Sequence, residues 1–544
     1  MRVTGVIGHA TGADGPAAGE AVRRAPISVA EDKYKYKYLI GIAVTMAAML
    51  ELIDTSIVNV AIPHMMGNLG ATLDEISWVS VGYIIANVIV IPMSSWLSAY
   101  FGRRRYLTGS ILLFVVASMF CGASTTLAQL VFWRVVQGVG GGALLSTAQS
   151  TLWEAFPPEE VGIGQAMFGV GVMVGPTLGP TLGGYIVDTW NWPWIFYINL
   201  PLGLIAAALV WSYVRDSVHQ ERSERVDWLG IFLMTVAVGS LQWMLERGER
   251  YDWFESPFVT ALGAISLVSF VWLVWHELRI DEPVIDFHVL RSRQLATGVV
   301  MGALLGFALF GSVFILPVFL QTLHGYTANQ TGMVILPGAI ASAVTMAVLG
   351  KRLRSIPDGR PVIVVGAALF MLCMWKLGTL TLDSGQSDVF WPLVLRGVGL
   401  GLIFLPLNAI SLAELSPRDL AQGTGLFNLM RQLGGSLGIA VIATMLGRFT
   451  KAKKAMLGEH LTVTGSDALA RLDGITHALI AKGTNAVLAK QQALMVMDRM
   501  VSAQASVLAF SRLYLISGLA LVIVLPLMLF WRSGRARSAS MAGH

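Results

Sequence analysis

One long apolar stretch indicates whether this chain lies in water or in a membrane. Residues 296–322 read ATGVVMGALLGFALFGSVFILPVFLQT and contain no Asp, Glu, Lys, Arg or His. About 20 mostly apolar residues suffice for a helix to cross the hydrocarbon core of a bilayer, so this stretch can span it once. Of the 544 residues in the chain, 55% are hydrophobic and only 13% are charged, whereas soluble domains carry about a quarter charged residues. We therefore predict a membrane protein.

Similar apolar runs recur along the whole chain and predict about fourteen transmembrane helices, in an all-α membrane protein. Cys121 and Cys373 lie inside two of these runs, and we expect buried thiols rather than a disulfide or a metal site. The polar breaks place the helices at 38–61, 77–98, 106–126, 130–153, 163–187, 195–214, 226–245, 258–278, 296–322, 328–350, 361–380, 390–412, 423–446 and 508–531.

The sequence lacks the motifs that would indicate an enzyme. We find no Walker-type nucleotide-binding loop, no cluster of metal ligands and no nucleophile triad. We therefore expect no catalytic activity, no cofactor and no direct use of ATP. The net charge of +5 comes from basic residues between the apolar runs, so we expect no nucleic acid as a partner.

These basic residues predict how the chain is oriented. Lys and Arg concentrate in alternate gaps, and such gaps face the cytoplasm in bacterial inner-membrane proteins. The short gaps 63–76 and 189–194 contain neither residue, and only Arg247 and Arg250 break the pattern. An even number of helices then places both termini in the cytoplasm. The basic gaps contain Arg103, Arg104, Arg105, Arg215, Arg222, Arg225, Arg279, Arg291, Arg293, Lys351, Arg352, Arg354 and Arg360.

The segment before the first helix, residues 1–37, is expected to be a cytoplasmic tail. Most of it is rich in Gly, Ala and small polar residues, and Lys and Tyr alternate from Lys33 to Tyr38. Cations and amphipathic rings suit the membrane interface, so this end should anchor the first helix. We expect no cleaved signal peptide, because the first apolar run begins late and contains Glu51 and Asp54.

An internal repeat predicts how the helices are arranged. The motif GVGGG at 138–142 recurs as GVGLG at 397–401, an offset of 259 residues. The same offset relates Pro158 to Pro417 and one downstream Phe to another. Close helix packing alone would favour recurring glycines but not the shared Pro and Phe. Two parallel halves, related by an axis along the membrane normal, form the architecture of major facilitator transporters, with substrate bound between them.

The spacing of the two copies leaves room for six helices in each half and one additional pair between them. We expect an N-terminal half at 38–214, an inserted helix pair at 226–278 and a C-terminal half at 296–531. The C-terminal half contains an external segment at 447–507, much longer than a connection between two helices requires. It mixes charged and small residues with helical stretches, such as the one from Ala486 toward Phe510. A docking or capping element would account for its length, and so would a tolerated insertion.

Three of the predicted helices carry motifs with a known counterpart. The first contains LIDTSIVNVAIP at 52–63, and the fourth contains RVVQGVG at 134–140. The fifth contains GVMVGPTLGPTLGG at 171–184. They resemble the acidic first-helix, arginine and antiporter motifs of the fourteen-helix drug:proton antiporters of the major facilitator superfamily, the EmrB-type multidrug exporters. The antiporter motif residues are Gly171, Gly175, Pro176, Gly179, Pro180, Gly183 and Gly184.

The resemblance covers nearly the whole chain and implies a function. EmrB-type proteins export hydrophobic toxic compounds or drugs in exchange for protons, and they work with a periplasmic adaptor and an outer-membrane channel. Proton-coupled uptake and a non-transporting membrane receptor or assembly subunit remain alternatives. The fifth-helix motif favours export, since uptake predicts more polar cavity residues and a receptor predicts an appended soluble domain.

The loop after the second helix departs from the superfamily pattern. At 97–105 it reads LSAYFGRRR, with Ala99 at a position where the superfamily usually has an aspartate. The glycine and the arginines remain. We therefore expect the tight turn and its cationic anchor to form, and we do not expect a gating salt bridge at Ala99.

Three ionisable residues inside predicted helices are the candidates for proton coupling, because a charge in hydrocarbon is costly unless it is paired or hydrated. Glu51 and Asp54 are three residues apart on one helix face, and two close carboxylates in a low dielectric do not both ionise readily. We expect Asp54 to carry the proton, with Glu51 as the second choice. Arg134 would hold Asp54 ionised in one conformation and release it in another, or would form a static pair with it.

Polar residues inside the helices are expected to line a central cavity, although each could instead satisfy a neighbouring helix. The glycines and prolines of the fifth helix are expected to form a smooth surface that slides against the other half. The cavity candidates are Asn59, Asn87, Gln137, Gln149, Asn408, Asn428 and Arg431.

Overall fold

The computed structural model describes residues 34–216, 226–356, 358–459, 466–528 and 531. Regular structure in these residues is helical, with no strand. The predicted tail up to residue 33, Arg222 and Arg225 lie outside them. The long helices are α1 (Lys37–Leu69), α2 (Trp78–Phe101), α3 (Arg103–Gly122), α4 (Leu127–Ala155), α5 (Val161–Thr189), α6 (Asn199–Tyr213), α7 (Trp228–Arg247), α8 (Pro257–Glu277), α9 (Arg293–Leu323), α10 (Ala328–Arg352), α11 (Arg360–Leu377), α12 (Gln386–Leu412), α13 (Leu420–Glu459), α14 (Ser466–Ala481) and α15 (Ala486–Val522).

Thirteen helical segments of the described chain are long and apolar enough to cross a membrane. They correspond to α1–α3, α5–α13 and α15. Helix α4 has 29 residues and is also long enough, but it is less apolar because it carries Arg134, Gln137 and Gln149 on its buried face. Other helices rather than lipid therefore enclose this face. With α4 included, the number reaches the fourteen helices that the sequence predicts.

The helices form two groups that meet along two seams. In the first group, α1 packs on α4, α5 and α6, while α4 also packs on α2 and α3. In the second, α9 packs on α12, α13 and α15, while α12 also packs on α10 and α11. One seam is formed by α5 with α10 and α12, and the other by α2 and α4 with α13.

Equivalent glycines of the internal repeat occupy equivalent close contacts. A Cβ atom on Gly140 of α4 would lie 2.8 Å from the backbone nitrogen of Phe114 in α3. A Cβ atom on Gly399 of α12 would likewise lie 2.8 Å from the carbonyl oxygen of Gly366 in α11. Only glycine lets the backbones approach this closely, which explains why both copies of the repeat contain it.

Helices α7 and α8 pack together beside the seam between α2 and α13. Gln242 of α7 donates to Ser436 of α13 at 2.8 Å, so the pair is tied to the second group within the membrane. At the other end of the pair, His276 of α8 lies 2.9 Å from a carboxylate oxygen of Asp227. Only 17% of the apolar window of α8 is buried, so most of its surface is free to face lipid.

The segment predicted as an external connection, 447–507, is largely helical. Helix α13 continues to Glu459, beyond the predicted membrane span 423–446, and α15 begins at Ala486, as the helical stretch predicted from that residue requires. The added residues are rich in Ala, Lys, Met and Leu, which favour helix, and contain no proline. Helix α14 packs on α15, and Lys454 of α13 forms an ion pair with Asp498 of α15 at 2.7 Å.

The turn between α2 and α3 obtains a carboxylate from another part of the chain. Gly102 has a φ of 85°, a conformation that favours glycine. Asp216, just after α6, accepts a hydrogen bond from the backbone nitrogen of Arg104 at 2.9 Å. Arg103 pairs with Glu154 of α4 at 2.7 Å. The expected turn and cationic anchor are thus present beside Ala99.

Candidate functional site

Asp54 of α1 lies at the centre of a closed hydrogen-bond cluster. Its side chain has no exposed surface. Oδ2 accepts from Arg134 at 2.6 Å, and Oδ1 accepts from Gln137 at 2.9 Å and from Asn199 at 3.0 Å. Three donors from α4 and α6 therefore stabilise the ionised carboxylate.

Arg134 is enclosed as completely as its partner. Residues three apart on a helix are surface neighbours, and Arg134 Nη1 also donates to Gln137 Oε1 at 2.8 Å. Its Nε donates to the backbone carbonyl of Val79 at 3.0 Å, and the guanidinium lies 4.1 Å from the centre of the Tyr83 ring. The cluster thus satisfies both of its charges, as burial away from water requires.

Glu51 lies one turn before Asp54 but has a much sparser environment. Its Oε1 accepts from Asn87 of α2 at 2.9 Å. Its Oε2 is buried and has no hydrogen-bond partner among the described residues. Arg431 of α13 is close enough for the two charges to interact, but no ion pair between them is formed in the described structure. Glu51 can therefore take up a proton on Oε2 without losing a hydrogen bond.

A chain of buried polar side chains connects the two groups of helices. Gln149 of α4 donates to Asn408 of α12 at 2.7 Å and accepts from Asn428 of α13 at 2.6 Å. Asn428 in turn accepts from Arg431 at 3.1 Å. Gln149 and Asn408 are 259 residues apart, which is the offset of the repeat, so equivalent positions of the two copies meet here.

Six of the seven residues predicted to line a cavity are buried, and they bond to one another or to the acids. Asn87 binds Glu51, Gln137 binds the Asp54 cluster, and the other four form the chain just described. Asn59 is the exception: it is exposed, and its amide oxygen accepts from Ser80 at 3.3 Å. In this conformation a substrate would have to displace these contacts to reach the buried groups.

Most glycines of the fifth-helix motif face α1 rather than the second group of helices. A Cβ atom on Gly175 would lie 2.8 Å from Cβ of Leu52 in α1. Gly184 points the other way, and a Cβ atom on it would lie 3.2 Å from the backbone nitrogen of Asn329 in α10. The expected sliding surface against the other half therefore does not include the glycines that face α1. These are Gly171, Gly175, Gly179 and Gly183.

Sequence reasoning missed Arg396 of α12. Its side chain is only 5% exposed and lies inside a predicted transmembrane helix. Two signals could have identified it. An arginine inside such a helix is by default a functional candidate, and the repeat offset of 259 residues aligns Arg396 with Gln137 of the Asp54 cluster.

Comparisons with known proteins concern the family and the fold of the chain. Residues 44–439 match the family model of the Major Facilitator Superfamily. The chain is 32% identical to the multidrug export protein EmrB of Escherichia coli K12 over 443 residues, which are 80% of this chain and 86% of that protein. It is 29% identical to the fatty acid resistance protein FarB of Neisseria gonorrhoeae over 490 residues, which are 90% and 95% of the two chains.

A third relative and one solved structure extend the comparison. The colistin resistance protein EmrB of Acinetobacter baumannii is 27% identical over 502 residues, which are 92% of this chain and 97% of that protein. The human organic anion transporter MFSD10 (TETRAN) has a similar structure, with a TM-score of 0.57, 12% sequence identity and coverage of 89% of this chain and 99% of that one. At this identity the likeness concerns the fold alone, and it confirms the predicted fold class.

Proposed function

Because this chain belongs to the major facilitator superfamily, we propose that it is a secondary active transporter that exports hydrophobic or amphiphilic toxic compounds in exchange for protons. It is a multi-pass membrane protein, and we place it in the bacterial inner membrane. Relatives along most of its length are named for multidrug export, fatty acid resistance and colistin resistance. These names favour export over uptake and over a receptor role.

The observation that carries this proposal is the contrast between Glu51 and Asp54. A proton antiporter needs an acid that gains and loses a proton within the membrane while the surrounding helices stay packed. Among the described residues, Asn87 is the one side chain that donates a hydrogen bond to Glu51, and Oε2 of Glu51 has no hydrogen-bond partner. Its charge acts on Arg431, which belongs to the other group of helices. Protonation of Glu51 would remove this attraction, so that proton binding changes the interaction between the groups.

Asp54 and Arg134 have a different role in this scheme. The three donors to Asp54 engage both of its carboxylate oxygens in the present conformation, and one of them is the guanidinium of Arg134. We assign the pair to holding α1 against α4, and we assign the exchanged proton to Glu51. Asp54, the first choice from the sequence, becomes the carrier only if another conformation separates it from Arg134.

Two experiments test export and coupling separately. The first compares the susceptibility of cells with and without this protein to a panel of toxic compounds. Equal susceptibility to every compound, at normal expression, would argue against export. A compound that the protein confers resistance to then serves as the probe in proteoliposomes with an imposed pH gradient.

The second experiment compares Glu51→Gln with Asp54→Asn in those proteoliposomes. We expect Glu51→Gln to bind the probe but to show neither gradient-driven transport nor probe-induced proton release. Glu249→Gln, which changes an exposed acid outside the membrane helices, is the matched control and should behave as the wild type. Normal proton release in Glu51→Gln, together with its loss in a folded Asp54→Asn variant, would reassign the proton to Asp54.

We further propose that the two groups of helices are six-helix halves, at 38–214 and 296–531, with the pair 226–278 between them and both termini in the cytoplasm. The equivalent glycine contacts and the Gln149–Asn408 bond support the division. The basic gaps support the orientation. A reporter fused after Arg105 should be cytoplasmic, and residues within 447–507 should react with an impermeant reagent from outside. The opposite labelling would overturn the orientation.

The extended ends of α13 and α15, with α14, are proposed to dock a periplasmic adaptor protein that leads to an outer-membrane channel. Together, Leu420–Glu459 and Ala486–Val522 are far longer than the membrane requires. Large apolar side chains on this extension are exposed, with Val487 at 72%, Leu494 at 52% and Met495 at 60%. An exposed apolar surface outside the membrane is typical of a protein interface.

A further inference from the structure

A small cavity lies where α5 of the first group meets α9, α10 and α12 of the second. Pro176 and Thr177 of the fifth-helix motif form one side. Most of the lining is apolar, with Val172, Leu309 and Phe310 among its residues. The polar exceptions on the opposite side are Ser342 of α10 and Arg396 of α12.

The charge of Arg396 has no acidic partner in the part of the chain that the structure describes. Among the described residues it donates one hydrogen bond, from Nη1 to the backbone carbonyl of Ser312 at 3.4 Å, the outer limit for such a bond. The ionisable groups close enough to act on it are Cys373 and Tyr514, and neither is a carboxylate. A cation that is 5% exposed within the membrane is costly without a counter-ion, so binding of an anion would stabilise it.

Ser342 adds a second, independent feature to this site. Its side chain is 2% exposed, and its hydroxyl has no hydrogen-bond partner among the described residues. It lines the same cavity as Arg396, one helix away. A guanidinium and a free hydroxyl together can bind one carboxylate or sulfate group, whereas a cation would be repelled and a neutral apolar ligand would leave both groups unsatisfied.

We propose that Arg396 and Ser342 bind the anionic head group of monoanionic amphiphiles, whose apolar part contacts the apolar residues that line this cavity. The assignment rests on the proposed export function, since it names a substrate class for that transporter. The bound ligand would also contact Pro176 of α5, so a movement of α5 would change the site.

The test measures equilibrium binding of tritiated decanoate and tritiated decanol to the purified full-length protein in lipid nanodiscs, with empty nanodiscs as the background. The two probes share the alkyl chain and differ in charge. We expect Arg396→Gln, which installs the residue found at the equivalent repeat position, to weaken decanoate binding by about ten- to a hundredfold. That range corresponds to the loss of a hydrogen bond to a charged group. Decanol binding should change by less than about twofold.

Matched variants keep the result interpretable. Arg247→Gln removes another buried arginine, which packs on Trp78 away from this cavity, and should leave decanoate binding unchanged. Ser342→Ala should weaken decanoate binding by a smaller factor, and Arg396→Lys should retain part of it. These two variants also decide the question if Arg396→Gln does not fold, as judged by size-exclusion chromatography.

Two results would overturn the inference: an unchanged preference for decanoate in Arg396→Gln, or an equal loss of both probes in a folded variant. Proton-driven export that persists alongside either result would show that only the inference has failed. Conversely, Arg396-dependent decanoate binding without any gradient-driven export in the wild type would show that the proposed function has failed while the binding site stands.

Discussion

Each copy of the internal repeat contains a buried arginine, and the two arginines differ in whether a carboxylate pairs with them. In the first copy, Arg134 pairs with Asp54 at 2.6 Å and is supported by Gln137 at 2.8 Å. In the second copy, the position of Gln137 is taken by Arg396, which has no carboxylate partner in the described residues. The glycine contacts around both positions are nevertheless alike, as Gly140 and Gly399 illustrate. Similar backbone packing is thus compatible with either a buried ion pair or a buried arginine that has no carboxylate partner in the described residues.

The difference between the paired and the unpaired arginine suggests different roles, the first in stability and the second in ligand recognition. A buried ion pair whose members satisfy each other holds helices in place, and removing one member leaves an unpaired charge. A buried cation without a partner contributes little to packing but attracts an anion. Changes in the first copy should therefore affect folding and proton coupling, whereas changes around Arg396 should affect ligand selectivity.

Arg134→Ala is expected to have the largest effect. It leaves Asp54 buried with its charge unpaired and removes the bond to the carbonyl of Val79. Breaking a buried pair typically costs about 3–5 kcal/mol, so the variant should unfold at a much lower temperature and lose transport. Thermal unfolding in detergent and gradient-driven efflux measure the two losses.

The double variant Arg134→Ala with Asp54→Asn distinguishes the charge from the packing. If the unpaired carboxylate causes most of the loss, neutralising Asp54 should recover part of the stability while transport stays absent. A double variant no more stable than Arg134→Ala would show that the hydrogen bonds of Arg134 to Val79 and Gln137 matter more than its charge.

Gln137→Leu should have an intermediate effect within the same cluster. The substitution keeps a side chain of similar volume but removes the donor to Asp54 Oδ1 and the acceptor for Arg134. The Asp54–Arg134 pair remains, so the loss should be about 1–3 kcal/mol, the usual cost of leaving buried polar groups unsatisfied. Thermal unfolding is again the measurement. A loss as large as that of Arg134→Ala would mean that Gln137 is essential to the ion pair.

The sequence predicted the fold well because membrane helices are signalled by long apolar runs that depend on no distant contact. It predicted the helical stretch that begins at Ala486 in α15 but not the extension of α13 to Glu459, since helix continues outside the membrane without a change that hydropathy can detect. It also placed Glu51 and Asp54 on one face without revealing that their partners lie on different helices. Those partners, Asn87 and Asn199, come from contacts distant in sequence.

The connection between the copies is tested by Gln149→Leu, Asn408→Leu and the double variant. Their mutual bond of 2.7 Å links the two groups at equivalent repeat positions. Hydrogen bonds between membrane helices contribute about 0.6 kcal/mol on average and about 1.7 kcal/mol at most, so the coupling energy should fall in that range. A double-mutant cycle in thermal unfolding measures it. A coupling of zero would show that the contact contributes nothing to holding the groups together.

The smallest effect on stability is expected outside the membrane, in the extension of α13–α15, which the first copy of the repeat lacks. The Lys454–Asp498 pair, with 43% and 63% of the side chains exposed, should contribute less than about 1 kcal/mol. Deleting residues 460–500 should therefore spare folding and transport in proteoliposomes, because no membrane contact described above depends on them.

The same deletion should weaken resistance in cells that contain the adaptor and have little effect in cells without it. Lys454→Ala is the matched control, since it perturbs the extension but leaves Val487, Leu494 and Met495 in place. Unchanged adaptor-dependent resistance at normal expression of the deletion variant would refute docking and leave the extension as a tolerated insertion.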